Sequence, residues 1–150
     1  MSVSERYFED FAVGDFFESK TYHITLEESL AFARNYDPQP FHLDEAAAEA
    51  SFFRKLVCSG WHTAAITMRL MVDSYTMRGS GIIGTGVDDL RWTAPVAPGD
   101  TLHLRGEVVE KRAWPGGKPR GVVKMRLETM NQDDVVVLTM FANCVVPMRG

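Results

Sequence analysis

Cysteine is scarce in this chain: its 150 residues hold two, Cys58 and Cys144. Their separation matches neither a disulfide framework nor a metal-ligand spacing, so no metal site is expected. A reduced compartment, the cytoplasm, is the expectation. Clustered cations are missing too. The 16 Lys and Arg are scattered and outnumbered by 20 Asp and Glu, for a net charge of −4. A nucleic-acid surface needs a basic stripe, so that class of partner is excluded. No apolar run approaches the ~20 residues of a membrane-spanning helix, so no membrane partner is expected. The opening, Met1-Ser-Val-Ser-Glu-Arg, has no basic stretch leading into an apolar one, so no signal peptide is expected. Internal repeats and low-complexity segments are absent.

What remains is the composition of an ordinary soluble domain, with 45% hydrophobic and 24% charged residues. The length suits a single domain over residues 1–150 with a real core. Tyr7, Phe8 and Phe11 form an aromatic N-terminal flap, and Gly14-Asp15 signals a turn. Residues 16–24 are rich in aromatic and β-branched types and read as a strand. Thr25-Leu-Glu-Glu28 has the form of a capping box, opening a helix to about Asn35. Asp44 can cap a short helix over residues 45–51. Phe52 and Phe53 follow as an apolar pair, readable as core or as one wall of a ligand tunnel.

Trp61, Ala64, Ala65, Met68, Met71, Val72 and Tyr75 recur at helical spacing, predicting a helix from Ser59-Gly60 to about Met77. It is apolar over most of its circumference, which predicts burial. The remainder reads as β: residues 82–92, 101–113, 121–130 and 135–146. Trp114-Pro-Gly-Gly-Lys-Pro119 and Asn131-Gln-Asp-Asp134 supply turns, so the last three strands form an antiparallel meander. One helix against such a sheet predicts an α+β domain.

Candidate chemistry concentrates in Asn35-Tyr-Asp-Pro-Gln-Pro-Phe-His42. Pro38 and Pro40 fix their own φ and bias Asp37 and Gln39 to extended backbone, so a stiff elbow is expected with no helix through it. Asp37 and His42 on that elbow could hold a water for proton transfer. Equally, Asp37 could cap a turn and His42 could be a packed side chain.

This elbow, with Leu43-Asp44 after it, Val57-Cys-Ser-Gly60 opening an apolar helix, and Pro95-Val-Ala-Pro-Gly-Asp100 before a strand, resembles the MaoC-like dehydratases. These are R-specific enoyl-CoA hydratases of the hot-dog fold. The resemblance spans nearly the whole chain. It implies a sheet wrapped around one long buried helix, no cofactor, and a substrate that is an acyl thioester of coenzyme A or acyl carrier protein. It implies that Asp37 and His42 share the acid–base work on one water. It further implies that the Gly60 N–H, at a helix start, meets the thioester oxygen. Gly60 can also simply permit a tight turn. Gln39, Phe41, Phe52, Ser59 and Trp61 are the expected substrate-binding residues.

Two positions depart from the family pattern. Gln39 replaces an Asn that helps to hold the site, and Ser59 replaces a His. Ser59 could donate to substrate or cap the helix. His62 could reach the site or be packed; His23 and His103 are given no role. The alternatives are a hot-dog thioesterase and a non-catalytic acyl-thioester-binding subunit. Asp73, the only acid on the long helix, lies far from its start, which counts against the thioesterase. A homodimer, or a dimer of dimers, is expected, because a lone sheet would leave a strand edge unpaired.

Overall fold

The computed structural model describes residues 6–74 and 83–150. A 3₁₀ turn at Phe8–Asp10 leads to β1 (Phe16–His23), α1 (Leu26–Tyr36), the short helices α2 (Pro40–Leu43) and α3 (Glu45–Glu49), and the long α4 (Gly60–Ser74). Four strands follow: β2 (Ile83–Trp92), β3 (Thr101–Ala113), β4 (Arg120–Met130) and β5 (Val136–Pro147). They join β1 in one antiparallel sheet of order β1-β3-β4-β5-β2. The expected meander is β3-β4-β5. The expected continuation of α4 to Tyr75 and Met77 lies outside the described residues.

The inward side chains of the sheet are apolar and alternate as period two requires. Leu102, Leu104 and Val108 of β3 and Val123, Met125 and Leu127 of β4 are buried. Ile66, Leu70 and Met71 of α4 pack into the same core. Truncating a buried side chain such as Leu70 to Ala would cost ~2–5 kcal/mol. One polar contact crosses this layer. Thr67 donates its hydroxyl to the Thr63 carbonyl at 2.9 Å and lies 2.6 Å from the Thr129 hydroxyl. Thr129 is therefore the donor of that pair, and neither buried hydroxyl lacks a partner.

The aromatic flap is anchored. Phe11 is buried and Phe8 covers Gly121, where a Cβ would lie 2.1 Å from the ring. The Thr25–Glu28 capping box forms in full. Asp44 caps α3 by accepting from the Ala46 N–H at 3.0 Å.

Two expectations need correction. The elbow does contain a helix: after extended Gln39, Pro40 begins α2, and His42 sits on it. A proline blocks the interior of a helix but is suited to its first position, where no N–H is needed. Second, α4 is not buried all round in the lone chain. Trp61, Met68 and Val72 face outward, half exposed, because the sheet covers only the opposite face. The apolar pair divides: Phe52 is 93% exposed, whereas Phe53 is partly buried.

Candidate active site

Asp37 is the C-cap of α1, its N–H donating to the Ala33 carbonyl at 2.9 Å. The chain then turns back at once, and the Gln39 N–H donates to the Asp37 carbonyl at 2.8 Å. Extended Gln39 sets Pro40 at the start of α2, and a single turn of that helix carries His42 back over Asp37. Their side chains meet, with His42 Nε2 3.2 Å from Asp37 Oδ2. The two residues expected to act together are thus in contact.

The other ring nitrogen determines the chemistry of the pair. His42 Nδ1 is 2.7 Å from the Val57 carbonyl oxygen. A carbonyl only accepts, so Nδ1 carries a hydrogen and Nε2 is the atom that gains or loses a proton. The imidazole is buried and Phe41 packs edge-on against it, with centroids 4.6 Å apart. The ring is thus held with its reactive nitrogen toward Asp37.

The two departures from the family pattern both bond this same carboxylate. Gln39 Nε2 donates to Asp37 Oδ1 at 2.6 Å, and Ser59 Oγ donates to Asp37 Oδ2 at 2.7 Å. The longer glutamine thus reaches the acid two residues before it. Ser59 also accepts from the Trp61 N–H at 3.3 Å, so it caps α4 and braces the acid together. Burial pushes the Asp37 carboxyl up, but the donors Gln39 and Ser59 and the neighbouring His42 outweigh it, and the net shift is downward.

A cavity of about 500 Å³ opens in front of the pair. Asp37, His42, Gln39, Phe41, Phe52, Gly60 and Trp61 all line it, as do Phe53, Thr63 and Trp92. Ser59 does not; it is buried behind Asp37. The segment of residues 57–59 is pinned between α2 and the loop after β2: the Val57 N–H donates to Phe41 O at 3.3 Å and the Cys58 N–H to Val96 O at 2.7 Å. That places Gly60, the first residue of α4, at the cavity wall. The N–H groups of Trp61, His62 and Thr63 all find acceptors on Ser59; among the described residues that of Gly60 has none. Cys58 also lines the cavity, but burial raises its thiol to about 11, so it is no ready nucleophile.

The remaining histidines lie apart from the pair. His62 is buried and stacks flat on Phe32 at 4.8 Å, in the packed role. His23 contacts Thr101 and His103 contacts Asp134. Trp92 escaped the sequence reading. Its indole Nε1–H donates to the Gly60 carbonyl at 2.7 Å, across thirty-two positions of sequence that no local motif connects. Among the described residues no group of three or more His, Cys, Asp or Glu could hold a metal ion, and no helix is long and apolar enough to cross a membrane.

The profile of the family described as "MaoC like domain" matches residues 10–130. The crystal structure of a MaoC-like dehydratase from Rhodospirillum rubrum superposes with a TM-score of 0.90 at 44% identity, covering 97% of this chain and 99% of that one. The unliganded R-hydratase PhaJ1 from Pseudomonas aeruginosa superposes at 0.76 with 30% identity, over 95% and 86% of the two chains. The 3-hydroxyacyl-thioester dehydratase Z of Mycobacterium tuberculosis is 30% identical over 107 residues, 70% of this chain and 71% of its own.

Proposed function

Because the chain belongs to the MaoC-like domain family, we propose that it adds water reversibly across the double bond of a 2-enoyl thioester of coenzyme A or acyl carrier protein. The observation that carries this reading is the Asp37–His42 pair, 3.2 Å apart at the wall of a mostly apolar cavity. The pair holds one proton that either Asp37 Oδ2 or His42 Nε2 can carry. In hydration the water oxygen bonds to C3 while the Asp37 carboxylate takes its proton. The C2–C3 π electrons move toward the thioester oxygen, giving an enolate. His42 Nε2–H then protonates C2, and the proton on Asp37 passes back to Nε2. Atoms balance, no cofactor enters, and dehydration is the same path reversed. The Gly60 N–H, at a helix start and without an acceptor among the described residues, is the donor we assign to the enolate oxygen.

The thioesterase alternative is poorly served. Asp73 lies at the far end of α4, about 20 Å from its start at the helical rise, and is paired with Arg69 at 2.7 Å and Lys20 at 3.3 Å. A non-catalytic binding subunit would use the same cavity without needing the His42 tautomer. A panel of 2-enoyl-CoA thioesters of graded chain length tests the three readings together. Loss of the enoyl absorbance supports the hydratase. Free thiol without that loss would replace it by the thioesterase, and saturable binding without either change by the binding subunit.

We also assign a homodimer. The outward apolar face of α4 and the exposed edge strand β2, with Ile83 58% and Val87 49% exposed, are both suited to a second copy of this chain, and the Trp61–Trp92 contact joins the start of one to the end of the other. The cavity shares Trp61 and Trp92 with that surface.

A further inference from the structure

We infer that Trp92 is a positioning residue for the donor at Gly60, a role that rests on the hydratase reading above. Its indole Nε1–H donates to the Gly60 carbonyl at 2.7 Å, using the second lone pair of an oxygen in the first turn of α4. The contact is close enough to require glycine. A Cβ at position 60 would lie 2.6 Å from both Cε2 and Nε1 of the indole. Gly60 is therefore glycine because Trp92 lies against it. The obstruction that a side chain would cause arises first at the indole and not at a bound thioester.

Two further features aim the ring. The pairing of β2 with β5 slips between Asp88 and Arg91, and Asp89 takes φ 50°, a left-handed value unusual for a side-chain-bearing residue. Such a bulge redirects the side chains that follow it, and Trp92 follows directly. Trp61, the next residue of α4, meets Trp92 in a T-shaped contact with centroids 5.0 Å apart. The edge strand thus holds the helix start by a hydrogen bond and an aromatic contact. The carbonyl so held belongs to the Gly60–Trp61 peptide, and the Gly60 N–H, with no acceptor among the described residues, is fixed to it through the Gly60 Cα. Donor stabilisation depends on preorganised placement, so a loosened Gly60 should slow the chemical step more than it weakens binding.

The test combines Trp92→Phe, Trp92→Ala, Gly60→Ala and the double variant Gly60→Ala/Trp92→Ala, with turnover of a 2-enoyl-CoA and thermal melts on each preparation. Trp92→Phe keeps a ring and removes the N–H. Its kcat should fall roughly tenfold with KM little changed, a smaller loss than the ~10²–10³ for removing a donor outright. Gly60→Ala should be severely impaired with Trp92 present, and adding Trp92→Ala to it should bring no further loss, in turnover or in melting. Wild-type kcat in Trp92→Phe, or strictly additive losses in the double variant, would overturn the role. If the wild-type enzyme hydrates no enoyl thioester, the reaction falls and the positioning role with it, while non-additive melting would still report the Gly60–Trp92 packing. Hydration by the wild type with additive melting would instead leave the reaction standing and remove Trp92 from it.

Discussion

At the scale of single residues, the acid is held by its neighbours rather than by its burial. Ser59 and Gln39 each donate to Asp37, and the net effect keeps its carboxyl below the ordinary range. A depressed carboxyl contributes stability above its unfolded value of ~3.9 and loses it as pH falls through the lower folded value. Ser59→Ala removes one donor and the cap on Trp61. We expect the acid limb of the pH–rate profile to move to higher pH, with a stability loss of about 1–2 kcal/mol. An unmoved acid limb would separate Ser59 from Asp37. His62 behaves in the opposite chemical sense. Its Nδ1 is buried with no hydrogen-bond partner among the described residues, and burial lowers its value despite the opposing influence of Glu28. The fold prefers the neutral ring, so this contribution is complete above the unfolded value of ~6.5 and declines as pH drops through it. His62→Leu should therefore show a smaller fall in melting temperature than wild type between about pH 7 and about pH 5. Parallel falls would contradict that.

At the scale of elements, local chemistry was readable and tertiary context was not. The Thr25–Glu28 capping box and the Asp44 cap follow from side-chain reach within a few residues. The Pro98-Gly99 turn does too, with Gly99 at φ 97° and Asp100 bonded back to Ala97. Pro40 misleads because the same ring stops one helix and starts another. The apolar character of α4 announces burial but does not say against what. Its inner face meets the sheet, and its outer face, Trp61, Met68 and Val72, is half exposed, the face we assign to a second copy. Met68→Glu should lower the sedimenting mass at micromolar concentration from dimer to monomer, since a charge would be buried unpaired. A wild-type monomer, or an undisturbed dimer in the variant, would remove α4 from the interface.

At the scale of the whole molecule, the hot-dog arrangement was legible because motifs at the elbow, the helix start and the Pro-Gly-Asp turn lie in the order the fold uses them. The site was legible in part. Asp37, His42 and Gly60 carry motif signals, whereas Trp92 reaches Gly60 through a strand bulge that no local pattern encodes. The sheet, the pinned segment of residues 57–59 and the single turn of α2 together present one acid and one imidazole to one cavity. We propose that these two groups act as one proton-transferring unit. Its most direct test is turnover of the best 2-enoyl-CoA by Asp37→Asn, His42→Ala and the double variant, with folding verified by melts. Each single variant should lose ~10²–10⁴ in turnover, with the double variant scarcely worse than either. Near-wild-type turnover in either single variant, or losses that multiply in the double, would contradict it.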